Sequence, residues 1–259
     1  VAARSSLSAC ASYLKPWGRT LYKPFWSGMR ESDIPMDNMS LVQARVAKYI
    51  GDIHGRIPRR LLQIWLQERF SSTAVSRENA HYHADIWSEQ ECIRFLSEHW
   101  PQYLDLFHSI RRPQHKSDLV RYAYLYTYGG CYLDMDIVLC APLDTILYHA
   151  HTQTRHKAPR IVTALGANSR IPSFGECTNG FLFAEPGCTL FLDLLQQIKP
   201  DPKDYGENVK AMYARIQQEN KGTYILFAET SVDTKSTHYA IVDKQKRVFA
   251  WTNQKPIKK

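Results

Sequence analysis

The sequence predicts an α/β fold built on a mostly parallel central sheet. Three observations predict it. Short apolar runs alternate with longer stretches whose apolar residues recur at helical spacing, the pattern of strands feeding helices that cover a sheet. Gly and Pro punctuate the junctions, at Pro101, Gly129-Gly130 and Pro186-Gly187. The chain has 259 residues, enough for one α/β domain with a sizeable core or two small ones.

Residues 1–30 hold no Asp or Glu and five basic residues, interleaved with Tyr13, Trp17, Tyr22, Phe25 and Trp26. They read as a basic aromatic arm packing on the domain, with a membrane-surface segment or a targeting remnant as alternatives. Ser40 is placed to cap a short helix over residues 41–50. An arm over 1–56 and one domain over 57–259 is the division this suggests.

In that domain Leu61-Leu62-Gln63-Ile64-Trp65-Leu66 reads as a buried first strand and Ala84-Asp85-Ile86-Trp87 as a weaker second one. Residues 89–100 form a helix with Cys92, Ile93, Phe95 and Leu96 inward, and Pro101 stops it. A shorter helix follows over 105–110. Residues 115–128 carry Leu119, Tyr122, Ala123 and Tyr126 on one helical stripe. Gly129 and Gly130 supply the left-handed turn that ends this helix. Cys131-Tyr132-Leu133 is a strand running straight into Asp134-Met135-Asp136. Pro142-Leu143-Asp144 opens a turn and a further helix. Strands over 160–165 and 180–184 and an amphipathic helix over 189–198 come next. A solvent-exposed helical region over 203–219 and a hairpin of 239–242 with 247–251 complete the pattern.

Composition narrows the function. With 44% hydrophobic and 22% charged residues the chain is ordinary for a globular protein. No stretch reaches the roughly 18 consecutive apolar residues of a membrane span, so no transmembrane helix is expected. The compartment stays open between a Golgi or secretory lumen and the cytoplasm. The net charge of +8 favours anionic partners or peripheral proximity to a membrane. No nucleic-acid-binding module is visible, so none is expected as a partner. Six cysteines without a C-x-x-C pair predict neither a zinc site nor a disulfide scaffold.

Asp134 and Asp136 carry the chemistry. Residues at i and i+2 of an extended segment point to one side. Two carboxylates so placed at a strand's carboxyl end suit one hard cation, Mn²⁺ or Mg²⁺. Such a cation bridges the phosphates of a nucleoside diphosphate and stabilises it as a leaving group. Asp118 and Arg121 share a helix face three residues apart. They form either an ordinary helical ion pair or a polar clamp on sugar hydroxyls. His81-Tyr82-His83 lacks a third partner and reads as surface.

The run Ser117-Asp118-Leu119-Val120-Arg121, then Tyr128-Gly129-Gly130-Cys131-Tyr132-Leu133-Asp134-Met135-Asp136, then Pro142-Leu143-Asp144, resembles the pattern of the D-x-D sugar-binding glycosyltransferases of family 32. That group holds initiating α-1,6-mannosyltransferases and α-1,4-galactosyl- and N-acetylglucosaminyltransferases, and it is similar to the core of the large glucosylating bacterial toxins. Ile57-Pro58, Gln63-Ile64-Trp65, Trp87 with Ser88-Glu89, Asn179-Gly180-Phe181 and Pro186-Gly187 extend the resemblance over roughly 57–190. Leu62 stands where a His is frequent, and 200–259 matches poorly.

The resemblance implies a nucleotide-binding α/β sandwich of the GT-A type and a hexosyltransferase that retains anomeric configuration. Its donor would be a UDP- or GDP-hexose and its acceptor a hydroxyl of a glycan, glycolipid or protein. Trp65 would lie against the base. Asp118, Arg121 and Asn179 would face the donor sugar, and Asp134 the ribose or sugar and the metal shell. Asp136 would ligate the metal, with His238 as the third protein ligand. Ile64 and Gly130 complete the implied donor-binding set, and Asp118, Arg121, Asp136 and Asn179 are the catalytic candidates.

Two other readings compete. A haloacid-dehalogenase-like phosphatase would use Asp134 as nucleophile and Asp136 as acid, but Ile137 removes the polar turn expected after such a pair. A non-catalytic nucleotide-sugar-binding module would keep the same residues without turnover.

Overall fold

The computed structural model describes residues 56–66, 79–153, 159–165, 177–200, 211–216, 223–231, 238–243 and 248–253. The basic aromatic arm and the helix expected over 41–50 lie outside the described residues.

The chain adopts the expected α/β class. Strand β1 (Arg60–Ile64) and β2 (His83–Trp87) come first, then helix α1 (Glu89–His99). The Glu91 carboxylate reaches back to accept from the Ser88 N–H at 2.6 Å and the Ser88 hydroxyl at 2.8 Å, which satisfies the first turn of α1. Pro101 ends α1 by opening a 3₁₀ turn (Pro101–Tyr103), and α2 (Leu104–Ser109) follows. Helix α3 (Pro113–Tyr128) begins on Pro113, whose missing N–H costs nothing at a first helical position. After it come β3 (Gly130–Leu133), β4 (Ile137–Leu139), α4 (Leu143–Gln153), β5 (Ile161–Leu165), β6 (Cys177–Ala184) and α5 (Thr189–Gln197). Strands β7 (Thr223–Ser231), β8 (His238–Val242) and β9 (Val248–Asn253) close the described fold.

The sheet has nine strands in the order β2-β1-β3-β6-β5-β7-β8-β9-β4. Strands β1, β2, β3, β5, β7 and β9 run one way, and β6, β8 and β4 run the other. Alternate residues face opposite layers, as the two-residue strand period requires. Leu62, Ile64, Tyr132, Leu182 and Ala184 pack on the side of α1, α2, α3 and α5. Leu61, Cys131, Leu133, Phe181 and Phe183 pack on the side of α4, with Ile241 and Phe249 from the late strands. Helix α3 is enclosed: His115 and every residue from Ser117 to Leu125 are buried, well beyond the single stripe expected.

Three details differ from the sequence reading. Residues 211–216 are helical, but Met212 and Ile216, four apart, are buried in the helical-side core, so this face is not solvent-exposed. Strands β4 and β7 are additional. Strand β7 passes the sheet on: its residues up to Ala228 pair with β5, while Ala228–Ser231 pair with β8.

The order of the strands forces the sheet to bend. In a flat sheet the six steps from β3 to β4 would span about 29 Å at roughly 4.8 Å each. The chain from Leu133 to Ile137 reaches about 14 Å at most. The β8-β9-β4 ribbon therefore curls back toward the carboxyl end of β3.

Candidate functional site

The carboxyl ends of β1 and β3, the start of β6 and the first half of α3 meet at one end of the sheet. Strand β3 stops at Leu133, and Asp134-Met135-Asp136 forms a tight turn in which the Ile137 N–H donates to the Asp134 carbonyl at 3.0 Å. The pair is thus presented by a turn and not by an extended segment, which corrects the geometry expected from the i, i+2 spacing. The Asp134 N–H donates to the Gly180 carbonyl at 2.9 Å, tying the turn to β6. Gln63, fully buried on β1, points its side-chain amide at the Leu133 and Asp134 carbonyls, each 3.5 Å away.

Arg121 sits at the centre. Its Nε donates to the Ser117 carbonyl at 3.2 Å and its Nη1 to the Asn179 carbonyl at 2.6 Å. Nη2 lies 3.4 Å from Asp118 Oδ1, and Nη1 lies 3.3 Å from Asp134 Oδ1. The guanidinium carbon stands 4.2 Å over the Tyr132 ring. Burial alone would lower the Arg121 pKa, but Tyr132, Asp134 and Asp118 outweigh it and raise it, so the group is a permanent cation.

Asp118 is a hub. Its Oδ1 accepts from Asn179 Nδ2 at 2.7 Å, and its Oδ2 faces His115 Nδ1 at 3.3 Å. A carboxylate accepts only, so this bond turns the Asn179 amide with its nitrogen toward Asp118 and its oxygen away. Asp134 Oδ1 accepts from the Tyr132 hydroxyl at 2.7 Å. Burial first, then the nearby carboxylates, hold the Tyr132 pKa well above its ordinary value against the pull of Arg121, and the hydroxyl stays a donor. The outcome is one connected set, His115–Asp118–Asn179–Arg121–Asp134–Tyr132. It is buried at the helix and reaches solvent at Asp134, whose side chain is 38% exposed.

The structure brings Asp118, Arg121, Asn179 and Asp134 together and puts Asp136 two residues along the same turn. Trp65 follows β1 at the same end, its N–H bonded to the Trp87 carbonyl at 2.9 Å. Ile64 is different: its side chain is buried in the core beneath the helices. Gly130 begins β3, at the opposite end of that strand from Asp134. Its φ of +94° and a position where a Cβ would come 2.6 Å from the Arg60 carbonyl oxygen give it a packing role instead of a donor-binding one. His81 turns to Asp144 at 3.1 Å and His83 to Asp85 at 3.5 Å, so the two do not converge.

His238 is placed by register alone. It pairs with Asn253, while Thr252 pairs with Ile137. His238, Asn253 and Asp136 therefore fall at the same end of the ribbon. No group of three His, Cys, Asp or Glu that would hold a metal forms among the described residues. Two hard carboxylates on one turn suit a divalent cation that takes its other ligands from a diphosphate and water, and do not suit a preformed protein cage.

Tyr132, His115, Gln63 and Gly180 belong to this site and were not singled out for it by the sequence. The signals were present for three of them. Tyr132 is two residues before Asp134 on one strand face, His115 is three before Asp118 on one helix face, and Gln63 is the polar residue inside an apolar run. Gly180 gave none.

Residues 66–153 match the model of the glycosyltransferase sugar-binding region containing DXD motif. Inositol phosphoceramide mannosyltransferase 1 of Schizosaccharomyces pombe is 33% identical over 104 residues, which are 37% of this chain and 33% of that protein. An uncharacterised glycosyltransferase of Acanthamoeba polyphaga mimivirus is 30% identical over 116 residues, 41% of this chain and 46% of that one. Mannosyl phosphorylinositol ceramide synthase of Saccharomyces cerevisiae is 34% identical over 62 residues, 24% of this chain and 16% of the relative. The matched stretch spans about a third of the length of the fission-yeast mannosyltransferases, at 33%, 28% and 31%. Among solved structures, the PaToxG glycosyltransferase aligns over 71% of this chain and 78% of its own at 12% identity, with a TM-score of 0.43. Residues 66–153, which include α3, β3 and the Asp134-Met135-Asp136 turn, are thus similar to the DXD-containing glycosyltransferase sugar-binding region.

Proposed function

We propose that this chain transfers a hexose from a nucleoside-diphosphate sugar to a hydroxyl of a glycan, glycolipid or protein, with a divalent cation at the D-x-D turn and with retention of configuration. The observation that carries this reading is the Asp118–Asn179–Arg121–Asp134 network, which is buried at the helix and reaches solvent where the D-x-D turn begins. The buried Arg121 cation and the Asn179 amide oxygen, turned from Asp118, are the donor and acceptor we assign to sugar hydroxyls. Asp134 suits a ribose or sugar hydroxyl, and Asp136, on the same turn, suits the cation. His238 and Asn253, in register beside Asp136, are the third-ligand candidates. Mn²⁺ or Mg²⁺ held there would neutralise the diphosphate as it leaves.

The occupancy of the carboxylates supports the retaining reading. Asp118 is buried and engaged by His115, Asn179 and Arg121, and is no base for an incoming hydroxyl. As the acceptor oxygen bonds the anomeric carbon and the carbon–phosphate-oxygen bond breaks, the acceptor's proton passes to the departing diphosphate oxygen. The protein's part is to hold the sugar and exclude water. The two yeast relatives are an inositol phosphoceramide mannosyltransferase and a mannosyl phosphorylinositol ceramide synthase, so a mannosyl donor and a phosphate-bearing glycolipid are the first pair to test. The net charge of +8 suits such an anionic acceptor and a place near a membrane surface. The described helices themselves include none long and apolar enough to cross a membrane.

The phosphatase alternative asks Asp134 to attack phosphorus, but its Oδ1 is already held by Tyr132 and Arg121. The test is incubation with Mn²⁺ and a panel of UDP- and GDP-hexoses, following diphosphate release. We expect cation-dependent hydrolysis of one donor without acceptor, and its loss in Asp136→Asn. Unchanged turnover in that variant would sink the cation assignment. Binding of a donor with no turnover under any acceptor would leave a non-catalytic module.

A further inference from the structure

We propose that Tyr132 and Gly180 are positioning residues that together decide which carboxylate oxygen of Asp134 the site offers to its ligand. This inference rests on the nucleotide-sugar reading above. Asp134 Oδ1 has two donors already, the Tyr132 hydroxyl at 2.7 Å and Arg121 Nη1 at 3.3 Å. Oδ2 lies over the bare Cα of Gly180. A Cβ built there would come within 2.3 Å of Oδ2 and 2.9 Å of Cγ, so the carboxylate fills the room that any side chain at 180 would take. The three contacts form a socket: hydroxyl and guanidinium on one oxygen, an open glycine face under the other.

A socket is needed because an aspartate's last torsion is soft and roughly two-fold. Left alone, the carboxylate plane turns and both oxygens compete for Arg121. Tyr132 prevents this from a fixed position. It is 1% exposed, its ring lies 4.2 Å from the Arg121 guanidinium carbon, and its protonated hydroxyl can only donate toward Asp134. The main chain of Asp134 is held separately, by its N–H on the Gly180 carbonyl at 2.9 Å. Removing the Tyr132 hydroxyl therefore releases the carboxylate without releasing the turn. Oδ2, turned from the socket's donors, is the oxygen for a ligand hydroxyl or cation.

Calorimetric titration of Mn²⁺ with GDP, and of Mn²⁺ with UDP, into wild type, Tyr132→Phe and Gly180→Ala tests this. For whichever nucleotide the wild type binds, Tyr132→Phe should weaken the Kd about tenfold, the loss of one hydrogen bond to a charged group. Its binding stoichiometry and thermal midpoint should stay near wild type. Gly180→Ala should weaken the Kd at least as much, through displacement of Oδ2. An unchanged Kd in Tyr132→Phe overturns the proposal, whether or not Gly180→Ala folds. So does a fall in stoichiometry at unchanged Kd, the mark of a merely structural role. A wild type that binds neither nucleotide overturns this inference together with the function it rests on. Binding by the wild type with no effect of Tyr132→Phe overturns this inference alone.

Discussion

The Arg121 guanidinium touches the Ser117 and Asn179 carbonyls, the Asp118 and Asp134 carboxylates and the face of Tyr132, directions that a planar fork covers and a single ammonium does not. Arg121→Lys keeps the charge and strands several of these buried groups. It should cost about 2–4 kcal/mol of folding stability, read from urea denaturation, and weaken donor binding as well. A stability within about 0.5 kcal/mol of wild type would show that the network does not depend on the fork. The pair Asp118 and Arg121 was legible in the sequence because helix spacing alone puts them on one face. Their joining to Asn179, sixty-one positions along the chain from Asp118, was not. Local periodicity carries no information about such a contact.

At the scale of elements, each helix that expressed a clear apolar stripe and a stop signal was legible to within a few residues. Helix α3 read well because Gly129 and Gly130 terminate it and because Tyr128 is followed at once by an apolar strand. The D-x-D turn read less well. The i, i+2 spacing was read as an extended segment, whereas the chain turns at Asp134-Met135-Asp136 and starts β4 at Ile137. Gly130 shows how an element junction can look functional for structural reasons. It takes a left-handed φ of +94° and leaves room only for the Arg60 backbone. Gly130→Ala should destabilise the protein by about 1–3 kcal/mol from backbone strain, more if the Arg60 contact cannot relax. Thermal or urea unfolding would check this. A variant of wild-type stability that loses donor binding would instead return Gly130 to the donor site.

At the scale of the molecule, the pairing of β4 with β9 was beyond the reach of sequence patterns. It joins Ile137 to Thr252 across most of the domain, and β7, which links the ribbon to the sheet, is a run around Tyr224-Ile225-Leu226 with few punctuating residues. The alternation that revealed β8 and β9 said nothing about what they would cover. The register sets Asn253, and His238 one strand further on, at the end of the ribbon where the turn carrying Asp136 lies. If His238 completes the cation site, His238→Ala should raise the Mn²⁺ concentration needed for half-maximal donor hydrolysis by about tenfold or more, in the range for altered metal-site residues. Unchanged Mn²⁺ dependence would move the third ligand to Asn253 or to water.

The bent sheet also sets a timetable. A chain leaving the ribosome has α3, β3 and the aspartate turn in hand early, but β4 has no neighbour until Val248–Asn253 is made. Folding that proceeds from the amino-terminal end would bury Arg121 and Asp118 first and finish the cation-facing rim last. A nascent or prematurely stopped chain would then carry the Asp118–Arg121 network without the β8-β9-β4 ribbon. Strand β9 is thus the piece on which β4 and the end of the aspartate turn wait.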